Sequence, residues 1–199
     1  CQPLNPCRIL PLCLATGHAH KTGEFVGMLC AEVALEDLSA HPEIEEVIED
    51  GATFAENARL KAVSVSRLLP GFVLADDSGL EVDSLGGGPG IWSARFAGAG
   101  ASDEANRRKL LEELATLGPD AARTARFCCV LALARAGAVL ATFEGTAAGQ
   151  LLRPEHVAAG FGYPQFSQPH GVPTACARLP PATTYLHSPT AAPGQRSPP

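Results

Sequence analysis

An apolar run at residues 9–15 (Ile-Leu-Pro-Leu-Cys-Leu-Ala) ends on Thr16-Gly17, which predicts a buried strand that delivers a tight turn. Over residues 21–30 the apolar positions change to helical spacing, with Phe25, Met28 and Leu29 on one side. Strand, turn and helix are therefore expected in that order. Residues 43–50 are acidic, and Thr53-Phe54-Ala55-Glu56 offers a threonine N-cap with a glutamate three positions on. The helix it opens should reach about residue 69, where Pro70-Gly71 stops it. A second apolar strand at residues 72–75 is expected to end on Asp76-Asp77-Ser78-Gly79, and Gly86-Gly87-Gly88-Pro89-Gly90 reads as a loop. Ser102 caps an amphipathic helix that carries Leu110, Leu111 and Leu114 to about residue 117. Residues 126–135 and 138–145 read as two strands joined around Gly137, a hairpin. The pattern as a whole is mixed α/β.

At 199 residues and 46% hydrophobic, the chain can bury a substantial core as one domain, or as one domain with a small lobe. Its net charge of -6 gives no broad basic face of the kind a nucleic-acid backbone requires, although local cations can still hold a small anion. No apolar run approaches the roughly 18 residues that span a bilayer. Residues 9–15 are too short and proline-interrupted for a signal peptide, so a cytoplasmic protein without membrane or nucleic-acid partners is expected. The seven cysteines show no Cys-x-x-Cys pairing and read as buried or incidental thiols. His18, His20, His41, His156, His170 and His187 show no metal or triad spacing, and none is assigned a metal. From residue 164 the composition changes: nine of the last 36 residues are proline, with no Asp, Glu or Lys, which predicts an irregular or disordered tail.

Several constellations could carry chemistry. Thr16-Gly17-His18-Ala19-His20-Lys21, between a strand and a helix, would aim backbone N–H groups at an anion, with Lys21 as a point charge. It is not a Walker loop, and an ordinary strand–helix turn is the competing reading. Asp76 and Asp77 at a strand end need solvent, a partner or a metal such as Mg²⁺, and a free carboxylate there could orient or deprotonate a water. The alternative is that the pair merely shapes a turn before Gly79. Glu45, Glu46, Glu49 and Asp50 offer a further metal ligand or form a solvated face. Arg95, between Trp92 and Phe96, suits a phosphate or a structural ion pair, and Phe161-Gly162-Tyr163 suits base stacking or plain core.

The order of these blocks is more specific than any one of them. Thr16-Gly-x-x-x-Lys21, Gly51-Ala-Thr-Phe-Ala-Glu-Asn-Ala58, Ala75-Asp-Asp-Ser-Gly-Leu80, Gly87-Gly-Pro-Gly-Ile-Trp-Ser-Ala-Arg95 and Phe161-Gly-Tyr163 together resemble the Ham1-like inosine triphosphate pyrophosphatase family (XTP/dITP diphosphatases) over about residues 9–163. The resemblance implies an elongated α/β fold with a central twisted mixed sheet, two lobes around a nucleotide cleft, and a homodimer. It implies Mg²⁺-dependent cleavage of ITP, dITP and XTP between the α- and β-phosphates. Asp77 would be the catalytic acceptor and metal carboxylate, and Glu49, or failing that Glu45, the second metal ligand. Thr16, Gly17, His18, Ala19, His20 and Lys21 would bind the triphosphate, Ser78 would contact substrate, and Phe161, Gly162 and Tyr163 would line the base pocket.

Three departures bear on this. Position 18 is His where the family turn usually has Asn; Pro164-Gln-Phe166 replaces an Asp-Pro-x-Phe continuation; and the family's later Lys and Ser-His-Arg segment have no counterpart. Back-translated in a shifted frame, the tail permits Pro-Val-Phe near Pro164 and Ser-His-Arg near Ser188, so residues 1–163 are expected to form the core and 164–199 to follow a reading-frame slip. An unbroken frame in the resequenced DNA would remove that reading. A catalytically impaired relic that binds nucleotide weakly is the rival expectation. A Maf-type pyrophosphatase is a third, which the blocks at 51–58 and 87–95 oppose.

Overall fold

The computed structural model describes residues 10–16, 19–28, 33–151 and 167–169. The roles expected of Gly17, His18, Phe161, Gly162 and Tyr163 fall outside these residues. In chain order the described elements are β1 (Leu10–Leu14), α1 (Ala19–Met28), β2 (Val33–Asp37), α2 (Phe54–Ser66), β3 (Phe72–Val82), α3 (Asp103–Thr116), β4 (Thr124–Arg135), β5 (Ala138–Leu151) and β6 (Ser167–Pro169). The expected α/β class holds. Strands order as β2-β1-β3-β4-β5-β6, with β1 parallel to both β2 and β3 and β6 antiparallel to β5. Thus Ser167–Pro169, within the proline-rich tail, is a strand.

Parallel neighbours require crossover connections. The chain passes from β1 through α1 to β2 on one side, then through α2 to β3 on the other, so the strand order reverses between β1 and β3. In α/β sheets the carboxyl ends of strands at such a reversal are where ligands bind. Ala15 N donates to Leu74 O at 2.8 Å, so β1 ends level with the residues just before Asp76.

Two compact units emerge: residues up to Asp77 with Val130–Glu144, and Ser78–Cys129 with residues from Gly145 on. In the first, α2 buries Phe54, Ala58, Ala62 and Val65, a helical stripe at four-, four- and three-residue steps, and Leu14 and Val73 of the sheet are also buried. In the second, Leu80 and Val82 pack with Leu110 and Leu114 of α3, Ala125 and Leu151.

The local signals at the element ends hold. Thr53 Oγ1 accepts from Glu56 N at 3.1 Å, while Glu56 Oε2 accepts from Ala52 N at 2.7 Å, a near-reciprocal cap. Ser102 Oγ accepts from Ala105 N. Ala136 and Gly137, with φ of 49° and 79°, form the two-residue turn between β4 and β5, as a right-twisted hairpin favours.

One expectation is overturned. The second strand does not end at Ala75: β3 runs for 11 residues through Asp76-Asp77-Ser78-Gly79 to Val82, so the acidic pair is not a turn. Two carboxylates and a glycine carry local turn preference, but Lys21 meets Asp76 and Asn57 meets Asp77 from other elements, and the strand continues. Beyond it, the glycine loop is a folded connection, with positive φ at Gly86, Gly87 and Gly90 and a cis Gly88-Pro89 bond. It brings Ser93 beneath β3, where Ser93 Oγ accepts from Leu80 N at 2.9 Å and donates to Gly90 O at 2.6 Å.

Candidate active site

Successive residues of a strand project to opposite faces, and the partners of the acidic pair agree with this. Asp76 meets α1: Lys21 Nζ lies 2.7 Å from its Oδ2. Asp77 meets α2: Asn57 Nδ2 donates to its Oδ2 at 3.0 Å, and Lys61 Nζ stands 3.9 Å from its Oδ1. Both aspartates are buried, at 6% and 7% exposure, which is costly for a charge unless such partners are present. Burial is the main effect lifting the Asp77 carboxyl above its ordinary range; Lys61 and the Asn57 hydrogen bond pull it down, and Glu49 and Asp76 add to the rise.

Asn57 and Lys61 are four residues apart on α2 and so share one face, next to the apolar stripe that seats the helix. Asn57 is wholly buried and bound at both ends of its amide, since its Oδ1 accepts from Gly51 N at 2.8 Å. Gly51 has no room for a side chain: a Cβ there would stand 2.7 Å from Asn57 Oδ1 and 2.7 Å from Glu56 Cβ. The backbone before α2 is thereby held against the amide that orients Asp77. Lys61 Nζ also binds Glu49 Oε1 at 2.7 Å. One ammonium therefore bridges Glu49 and Asp77, whereas Glu45 is exposed in the same segment.

The remaining sequence-predicted residues divide. Thr16 lies two residues beyond the end of β1, with its N donating to Leu14 O and its O accepting from Leu38 N. Ala19 and His20 open α1, and Lys21 follows in its first turn, so the strand–turn–helix order holds. Ser78 is exposed on β3 immediately after Asp77. The Arg95 guanidinium stacks over the exposed Trp92 ring at 4.6 Å. Asn57 and Lys61 were not singled out from sequence, although Asn57 lies within the block 51–58 and helical spacing leads from it to Lys61.

The Ham1 family pattern (Ham1p_like) matches residues 12–190, further into the tail than the motif blocks reach. A dITP/XTP pyrophosphatase of Shouchella clausii is 43% identical over 162 residues, covering 80% of this chain and 81% of that one. One of Streptococcus thermophilus is 46% identical over 155 residues, but the chain spans only 47% of its length. Among solved structures, the Staphylococcus aureus Ham1 protein superposes with a TM-score of 0.79 at 33% identity over 90% of this chain and 91% of that one. A HAM1 protein from Coxiella burnetii gives 0.78 at 30%, over 91% and 92%. By family pattern, sequence identity and superposition alike, the chain belongs to the Ham1 family.

Proposed function

We propose that the chain hydrolyses non-canonical purine nucleoside triphosphates, ITP, dITP and XTP, to the monophosphate and pyrophosphate. The observation that carries this reading is the buried Asp77 carboxylate, oriented by Asn57 and facing the Lys61 ammonium that Glu49 also binds. Relatives named dITP/XTP pyrophosphatase supply the substrate class.

Two carboxylates converging on one cationic centre are hard oxygen donors of the kind Mg²⁺ prefers, so Asp77 and Glu49 fit that ion. Bound there, it would neutralise charge developing on the phosphates. Asp77 orients a water and takes its proton as the water oxygen bonds to phosphorus and a P–O bond of the α,β-bridge breaks. Lys21, held by Asp76, offers positive charge beside the turn after β1, where Thr16 offers a hydroxyl; Ser78 carries a hydroxyl next to Asp77 in the chain.

We read the working form as a homodimer in the cytoplasm, where the nucleotide pool is found; no described helix is long and apolar enough to cross a membrane. In this reading residues 1–163 form the catalytic core. The departures after Tyr163 favour a second reading, an impaired member that binds nucleotide weakly. Mg²⁺-dependent pyrophosphate release from ITP, XTP, dITP, GTP and ATP separates the two. Selective release from the first three, lost in Asp77→Asn, supports the hydrolase; no release from folded protein supports the relic.

A further inference from the structure

We propose that Cys13, Glu36 and His41 form a second cation site, which takes a borderline-soft divalent ion of the Zn²⁺ class and is separate from the carboxylates at Asp77. Parallel pairing places Cys13 of β1 directly beside Glu36 of β2. Asp37, the next residue, then caps a 3-10 turn at Leu38–Ala40, accepting from Ser39 N at 2.9 Å and from the Thr22 hydroxyl. The turn folds the chain back, with His41 N donating to Leu38 O at 3.0 Å, and returns the imidazole to the pair. One donor atom from each of the three side chains then lies within 4.8 Å of the others.

A second observation points to a ligand at this place. His41 Nε2 is buried and makes no hydrogen bond among the described residues. Yet it stands 3.3 Å from Glu36 Oε1. A buried imidazole nitrogen and a carboxylate oxygen this close, without hydrogen-bond alignment, can both face one cation. The spacing matches the N···O edge of a tetrahedral zinc centre, about 3.3–3.5 Å for bonds of about 2.0–2.2 Å. On the other side of the ring, Glu43 Oε1 lies 3.6 Å from Nδ1, the side from which an outer carboxylate would support a ligating histidine. Glu36 is half exposed, which leaves an approach from solvent. The donor set of one thiolate, one imidazole and one carboxylate suits Zn²⁺ rather than Mg²⁺, and three protein ligands leave a fourth position for water.

The carboxylates of Glu36, beside Cys13, and of the neighbouring Asp37 attract a cation, and a bound cation lets the thiol release its proton to solvent as the sulfur–metal bond forms. The ion would tie β2, which ends the sheet, to the strand that delivers Thr16.

The reduced, chelator-stripped full chain is titrated with Co²⁺ and read by the thiolate-to-cobalt charge-transfer band in the near ultraviolet, with Zn²⁺ as competitor. One equivalent should develop the band, Cys13→Ser should abolish it, and Asp77→Asn should leave it unchanged. Since Cys13 is buried, Glu36→Gln and His41→Ala, checked by circular dichroism, supply independent arms. Each should weaken Zn²⁺ by more than the ~10- to 100-fold typical of an outer partner, while Glu43→Gln should fall within that range. No band in the native chain, a full band in Cys13→Ser, its loss in Asp77→Asn, or wild-type Zn²⁺ affinity in folded Glu36→Gln would overturn the proposal. None of these readouts requires nucleotide hydrolysis, so failure here and failure of the proposed activity are distinguishable.

Discussion

Asp77 shows what a buried carboxylate costs the fold. Its burial exceeds the compensation from Lys61 and Asn57, so its carboxyl titrates above the ordinary range. A group whose pKa is higher in the folded state favours folding when protonated; that contribution is present at acid pH and lost as pH rises through the raised value. Asp77→Asn is therefore expected to melt higher than wild type at neutral pH in chelator, with the gain shrinking on acidification. A melting point at or below wild type at neutral pH would contradict this. The same variant should lower kcat by at least ~100-fold, as loss of a general base does, measured as pyrophosphate release from ITP. Gly51 makes the complementary case of a residue needed for what it lacks. Gly51→Ala drives a Cβ into Asn57 Oδ1 and Glu56 Cβ. It should cost about 1–3 kcal/mol by denaturant unfolding and also reduce turnover, because the amide that holds Asp77 must shift. A variant with lost stability and unchanged kcat would separate Gly51 from the site.

Helix α2 turns a sequence signal into site geometry. Its N-cap and buried stripe fix where it starts and which side faces the sheet, and Asn57 and Lys61 then reach Asp77 from the flank of that stripe. Thr53→Ala removes the hydroxyl that accepts from Glu56 N. It should cost about 1 kcal/mol, a fall of roughly 2–4 °C in Tm for a chain of this size by calorimetry. An unchanged Tm would mean that the Glu56 carboxylate alone closes the helix end. Both caps, the β4–β5 turn and the helical stripes were legible in the chain because each rests on residues a few positions apart. β2 was not: Val33–Asp37 is five residues long with alternate positions exposed, too short and mixed to stand out. Nor was the length of β3, because its turn-like centre meets Lys21, Asn57 and Lys61, which lie 55, 20 and 16 positions from their aspartate partners in sequence.

For the whole molecule, the reversal of strand order between β1 and β3 brings Thr16 and the acidic pair to one end of the sheet. If the altered tail fails to supply polar contacts to the purine, discrimination should suffer more than chemistry, since unpaired polar contacts are what reject the wrong base. The kcat/KM ratio of ITP to ATP is then expected to lie at least ~10-fold below that of a relative with the Ser-His-Arg segment. Equal ratios would show that the tail recognises the base by other residues. By itself the sequence determined the α/β class, the caps, the hairpin and the family, because these rest on local periodicity and on motifs whose order survives in the chain. It also marked Asp77, Lys21 and Glu49 as chemistry-bearing. Only the tertiary structure decided that Asp76 and Asp77 serve opposite faces, that Glu49 rather than Glu45 meets Lys61, and that Cys13, Glu36 and His41 share a corner. Those relations depend on strand register and helix crossover, which join residues far apart in sequence through long-range packing that no local spacing records.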